Sequence, residues 1–226
     1  MSIHKRAAAL AATLTTAGGL AAVAAQPASA ATPQCVQRAP VCIEIFSKAF
    51  GTPASPGFIE TVFGGIPVAG VPTILKQPST TSPAGDFIPH TSTVAAFYAQ
   101  GMVSAAVNAH YGTENATQVE YAPFGRPTGL CAAVATRPYQ GEGLTLQSCR
   151  IPGRTVFILD TADSPAPGYF PLVIGATTDF THPFAMTFPG HADPAHTRFP
   201  QIKVAHLIGN PTAVPDRQLW SAVPAS

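Results

Sequence analysis

His191, Asp193 and His196 stand in the stretch Gly190-His191-Ala192-Asp193-Pro194-Ala195-His196. Two imidazoles and a carboxylate are donors that could hold zinc or another divalent ion. Pro194 breaks the segment, and the two histidines are not spaced by a helical turn. A solvated polar loop is therefore expected, with no metal. His182, before Pro183, and His206 read as structural or surface histidines. A serine hydrolase needs Gly-x-Ser-x-Gly, or Ser, His and Asp in context. That motif is absent, as are a Gly-x-x-x-x-Gly-Lys loop and a Gly-x-Gly-x-x-Gly turn. The sequence thus implies no enzyme and no cofactor.

Sulfur is the remaining chemistry. The four cysteines are Cys35, Cys42, Cys131 and Cys149. An even number in an exported chain implies disulfides, and four cysteines allow three connectivities. The locally closed set, Cys35–Cys42 and Cys131–Cys149, is expected. A cysteine nucleophile is disfavoured on the same ground.

Export is read from residues 1–30. Lys5 and Arg6 precede an uncharged run from Ala7 to Ala25, and Ala28-Ser29-Ala30 has the small-x-small form of a cleavage site. The run is rich in Ala, Gly and Thr, too weakly apolar for a span of about 20 residues. The leader is of bacterial, actinobacterial-like type, and no membrane association is expected after cleavage. Cutting after Ala30 removes Lys5 and Arg6, leaving ten basic and eleven acidic residues and a net charge of −1 with His neutral. Nucleic-acid binding, which rests on a basic patch, is not expected.

The elements that would position these residues divide into two stretches. Residues 31–85 carry closely spaced breakers, among them Pro53, Pro56, Gly64, Gly65, Pro67, Gly70, Pro72 and Pro78. Proline removes a backbone donor and fixes φ, so regular helices and central strands are disfavoured there. Phe58, Ile59, Val62, Ile66, Ile74 and Leu75 are too apolar for a disordered linker. An extended arm packed on the body is expected, with a flexible linker as the alternative. From Asp86 onward, short runs rich in Val, Ile, Thr and aromatics recur between turn residues, as in an all-β barrel or sandwich. They include Thr93–Tyr98, Val103–Ala109, Thr117–Tyr121, Cys131–Ala135 and Thr155–Leu159. Little helix is expected.

Residues 129–149 read GLCAAVATRPYQGEGLTLQSC: a strand, a Gly-rich reversal at 140–143, and a strand ending in cysteine. Near the end stands Gln218-Leu219-Trp220. Together these resemble the ricin-type lectin family, whose repeats carry a G-x-C-x-x-V hairpin and a Q-x-W signature. Thr155-Val156-Phe157 resembles a degenerate copy with Phe in place of Trp. The likeness is clear over about 129–159 and 214–223. It implies a β-trefoil over 86–226, with Trp220 and Phe157 as core residues. Two of three repeats are visible, and an insertion at 188–199 is needed to fit the spacing.

The resemblance also implies a sugar site, with an acid after the first cysteine of a repeat, a stacking aromatic and a polar residue before Q-x-W. Here Ala132 and Ala133 stand where the acid belongs. Asp216 and Gln218 are the candidate ligand-binding residues of the last repeat, with Tyr169 or Phe170 stacking. The function implied is a secreted, non-catalytic binding module for an extracellular glycan. The alternative is a scaffold without a sugar site that contacts an envelope protein.

Overall fold

The computed structural model describes residues 42–79, 82–190, 199–208 and 213–225. The expected leader, Cys35 and the cluster His191, Asp193 and His196 lie outside them. Among the described residues there are fourteen strands: β1 (Ile43–Ser47), β2 (Gly51–Thr52), β3 (Ser55–Pro56), β4 (Ile59–Val62), β5 (Thr73–Lys76), β6 (Phe87–Thr93) and β7 (Asn115–Tyr121). There follow β8 (Leu130–Val134), β9 (Leu144–Ser148), β10 (Val156–Leu159), β11 (Leu172–Ile174), β12 (Phe184–Thr187), β13 (Lys203–His206) and β14 (Trp220–Pro224).

Six of these close into a ring. β14 pairs with β1, β1 with β6, β6 with β7, β7 with β10 and β10 with β11, all antiparallel. The ring closes where Phe170 and Trp220 exchange two backbone hydrogen bonds of 2.9 Å. A closed ring leaves no sheet edge to pair with another chain.

β2 pairs with β3 in a separate two-stranded sheet, and the remaining six strands form three hairpins: β4–β5, β8–β9 and β12–β13. Each hairpin touches both others. Bridges join Pro72 to Thr145, Ile74 to Gln201 and Gly143 to Lys203. The chain therefore runs barrel strand, hairpin, barrel strand three times, over 43–93, 115–159 and 172–224. A six-stranded barrel capped by three hairpins is a β-trefoil, the fold class expected.

Side-chain alternation explains the closure. Phe87, Phe157 and Trp220 begin or nearly begin the last strand of each repeat, and all three are buried in one core with Leu75, Leu146 and Val204 from the hairpins. The indole Nε1 of Trp220 donates to the Met186 carbonyl at 2.8 Å. Three large apolar side chains thus fill the barrel beneath the cap. Trp220 and Phe157 were expected there; Phe87 is the third.

Two expectations are corrected. Of the segment 31–85 expected as an arm on a domain that starts at 86, the described residues from 42 onward belong to the trefoil, because β1, β4 and β5 lie in the same twelve-stranded sheet as β6. These strands of four or five residues fit between the breakers, and the described prolines of the segment fall outside them. The expected strands Thr93–Tyr98 and Val103–Ala109 are replaced by two short helices: α1 spans Val94–Ala99 and α2 spans Ala105–Tyr111. The Thr93 hydroxyl accepts from Ala96 N, and the Ser104 hydroxyl accepts from Val107 N, capping both starts. Val94, Phe97, Val107 and Tyr111 pack with Ala116, Val156 and Ile158 on the outside of the barrel.

The third hairpin is joined by residues 188–202, against 135–143 in the second. The long connection lies where an insertion was expected, and residues 191–198 of it are outside the described set.

Candidate functional site

The sequence-expected sugar residues have structural duties. Gln218 is fully buried. Its Oε1 accepts from Ile208 N at 3.0 Å, and its Nε2 donates to Thr187 Oγ1 at 3.0 Å and to the His206 carbonyl at 2.9 Å. It therefore fastens the third hairpin to the barrel, with no polar atom left for a ligand. Thr155 holds the matching place in the second repeat. It donates to the Ile151 carbonyl at 3.1 Å and accepts from Gln118 Nε2 at 2.6 Å. In the first repeat the place is Gly85. A Cβ there would come within 2.6 Å of Ile59 Cδ1, so a side chain at this place requires Ile59 to shift.

Asp216 is exposed and pairs with Lys48 at 2.5 Å. Its carbonyl accepts from the Ser47 hydroxyl at 3.0 Å. Tyr169 is buried against Phe46, with its hydroxyl donating to the Gly51 carbonyl at 3.2 Å. Asp216, Gln218 and Tyr169 thus have three separate sets of partners. Phe170 is half-buried and turns into the barrel. Ala132 and Ala133 are buried in the second hairpin.

Cys131 and Cys149 are bonded, with their Cα atoms 4.9 Å apart across the base of that hairpin. Cys42 is also disulfide-bonded; Cys35, its expected partner, is outside the described residues. Among the described residues, no group of three potential metal ligands occurs. No described helix is long and apolar enough to cross a membrane.

The concavity that the fold does build is inside the barrel. Inward positions alternate along each strand. Beneath Phe87, Phe157 and Trp220, the next inward residues of the same strands are Pro89, Leu159 and Ala222. Two of these are small, so the bore is not refilled. The result is an open cup of about 450 Å³. Trp220 lies at its floor, Ile45, Val119 and Leu172 form its wall, and Thr91, Thr117 and Ala222 stand toward the mouth. Thr91 Oγ1 donates to Thr117 Oγ1 at 3.2 Å, and Thr117 donates to the Gln118 carbonyl at 3.2 Å. No ionisable side chain is among the lining residues. Sequence reasoning missed the cup, although the period-two run Phe87-x-Pro89-x-Thr91 carries part of it.

Groups with shifted acidity lie elsewhere. Burial pushes the Glu60 carboxyl in β4 up to about 7. The Thr73 hydroxyl is near enough to offset part of this, although neither Glu60 Oε1 nor Thr73 Oγ1 completes a hydrogen bond. Asp86 is pushed up to about 6, first by burial and then by Glu44, against the lowering effect of a hydrogen bond from Phe124 N. Neither carboxyl lines the cup. The cup itself offers shape, apolar contact and two hydroxyls.

Among solved structures, the fold is similar to a designed three-fold symmetric protein, ThreeFoil. The TM-score is 0.53 at 12% identity, over 80% of this chain and 97% of that one. The solution structure of the mdaA-1 domain aligns over 81% of this chain and 89% of its own, at 11% identity and a TM-score of 0.47. No protein-family model matches the sequence, and the comparison with curated proteins gives no match.

Proposed function

We propose that the mature chain is a secreted, non-catalytic binding module that takes its ligand in the barrel cup. The observation that carries this reading is the cup itself. It is a volume of ligand size, about 450 Å³, within the range of roughly 300–1,000 Å³ typical of small-molecule sites. Its lining carries no carboxylate, imidazole, amine or thiol, so Thr91, Thr117 and Ser221 have no general base beside them in the cup. The Cys131–Cys149 bond fits an oxidising compartment, as the expected leader would require.

Carbohydrate, the ligand implied by the ricin-type resemblance, would need a site built on Asp216. Gln218 is spent inside the core, and Tyr169 is buried with its hydroxyl engaged. A glycan array with the mature chain decides between the two. Saturable glycan binding that is lost in Asp216→Ala would move the site from the cup to the last repeat's surface.

A second reading has its own observation. Phe63, Ile66 and Val68, on the loop after β4, are each more than half exposed. Apolar side chains grouped on one loop mark contact surfaces, which supports a scaffold that meets an envelope protein. Pull-down with the triple variant Phe63→Ser, Ile66→Ser, Val68→Ser tests it. A partner retained by that variant would remove the loop from the interaction.

A further inference from the structure

We propose that the cup binds a neutral, hydrocarbon-rich molecule with a terminal hydroxyl, such as a medium-chain aliphatic alcohol. This rests on the binding-module reading and names its ligand class.

Three observations select that chemistry. First, Ile45, Val119, Leu159 and Leu172 surround the Trp220 floor. A sugar there would leave its hydroxyls unsatisfied, at roughly 1–3 kcal/mol each in protein measurements. Second, no ionisable side chain lines the cup, so a carboxylate or ammonium entering it would lose water without gaining a partner. Third, the mouth is polar in one sense. The Thr91 hydroxyl donates to Thr117, and Thr117 donates to a backbone carbonyl. The Thr91 oxygen keeps accepting capacity in this arrangement. A ligand O–H meets that need.

The size follows from volume. A sealed apolar cavity of about 150 Å³ accommodates benzene. On that scale the cup, at about 450 Å³, takes roughly a dozen carbons once its open mouth is allowed for.

The chain provides its own reporter, because Trp220 is its single tryptophan. Mature protein, residues 31–226, is titrated with 11-bromo-1-undecanol while indole emission is followed. A bromine seated in the cup quenches Trp220. The expected result is saturable quenching, reversed by 1-decanol, with decanoate at least tenfold weaker than 1-decanol. Ala222→Phe, at an exposed position of β14 facing the cup, should weaken binding at least tenfold. Thr91→Phe, on β6, gives the same obstruction should the first variant lose its fold.

Quenching that rises linearly without saturation, or curves unchanged by both substitutions, overturns the cup as the site. Decanoate binding as well as decanol overturns the assigned chemistry. Glycan binding that Ala222→Phe abolishes, with no alkanol binding, overturns the inference while the reading of a module that takes its ligand in the cup stands.

Discussion

Gln218 donates its side-chain amide to the Thr187 hydroxyl at 3.0 Å inside the core. Thr187 in turn donates to the Ala185 carbonyl at 2.9 Å, so the glutamine completes a network within the third hairpin. Replacing it by alanine strands the Ile208 N–H and the His206 carbonyl. A group stranded in a part-buried place such as these costs roughly 1–3 kcal/mol at most. Gln218→Ala should therefore destabilise the protein by about 3 kcal/mol, read from urea midpoints. Asp216→Ala removes only a surface ion pair with Lys48, whose usual worth is below about 1 kcal/mol. Equal, small losses from the two variants would refute the structural role given to Gln218.

Phe87 is the first repeat's counterpart of Phe157 and Trp220, so its loss should hurt as theirs does. It is fully buried, 5.8 Å ring to ring from Tyr121. Phe87→Ala should cost about 3–5 kcal/mol, the usual range for an emptied aromatic site, and Phe157→Ala a similar amount. A loss under about 1 kcal/mol at Phe87 alone would mean that residues 43–93 are dispensable to the barrel. Chemical denaturation of the two variants side by side makes the comparison.

The second repeat was legible because its hairpin carries both a Gly-rich reversal and paired cysteines. The third was legible through Trp220. The first was not, for two physical reasons. Gly85 stands where the signature glutamine would be, packed against Ile59, so the signature before Phe87 is missing. Its hairpin strands, Ile59–Val62 and Thr73–Lys76, are separated by a Pro- and Gly-rich loop that hides their pairing. The helices at 94–111 were misread because Val, Ala and aromatics occur in strands too, while the caps at Thr93 and Ser104 decide the matter locally. The cup was invisible for a different reason. It depends on how six strands from all three repeats place small and large side chains on one level, which no single segment records.

The Cys131–Cys149 bond closes a loop of 18 residues in sequence separation. Chain-entropy reasoning gives a stabilisation of about 3 kcal/mol for a loop of that size. The double variant Cys131→Ala, Cys149→Ala should lower the denaturant midpoint accordingly while far-UV dichroism keeps its β form. Mutation is a cleaner test than reductant, because Cys42 is disulfide-bonded as well. A midpoint unchanged within error would show that β8 and β9 hold their register through backbone pairing alone.

Glu60 sets a pH dependence whose sign can be worked out. The folded state raises its carboxyl from 4.5 to about 7, chiefly by burial. Between those values the folded chain keeps a proton that the unfolded chain has released. Stability from this group is therefore full below about 4.5, falls as pH rises toward 7, and is flat above that. A raise of this size corresponds to about 3 kcal/mol. Asp86, raised to about 6, acts in the same direction over a narrower window. Glu60→Gln keeps the shape of the protonated side chain and cannot ionise. Its stability advantage over the parent should be near zero at pH 4, grow between pH 5 and 7, and level off by pH 8. Urea unfolding of both proteins at half-unit pH steps measures that difference directly. A constant difference across the series would place the Glu60 carboxylate in contact with water or a cation, contrary to its burial in β4.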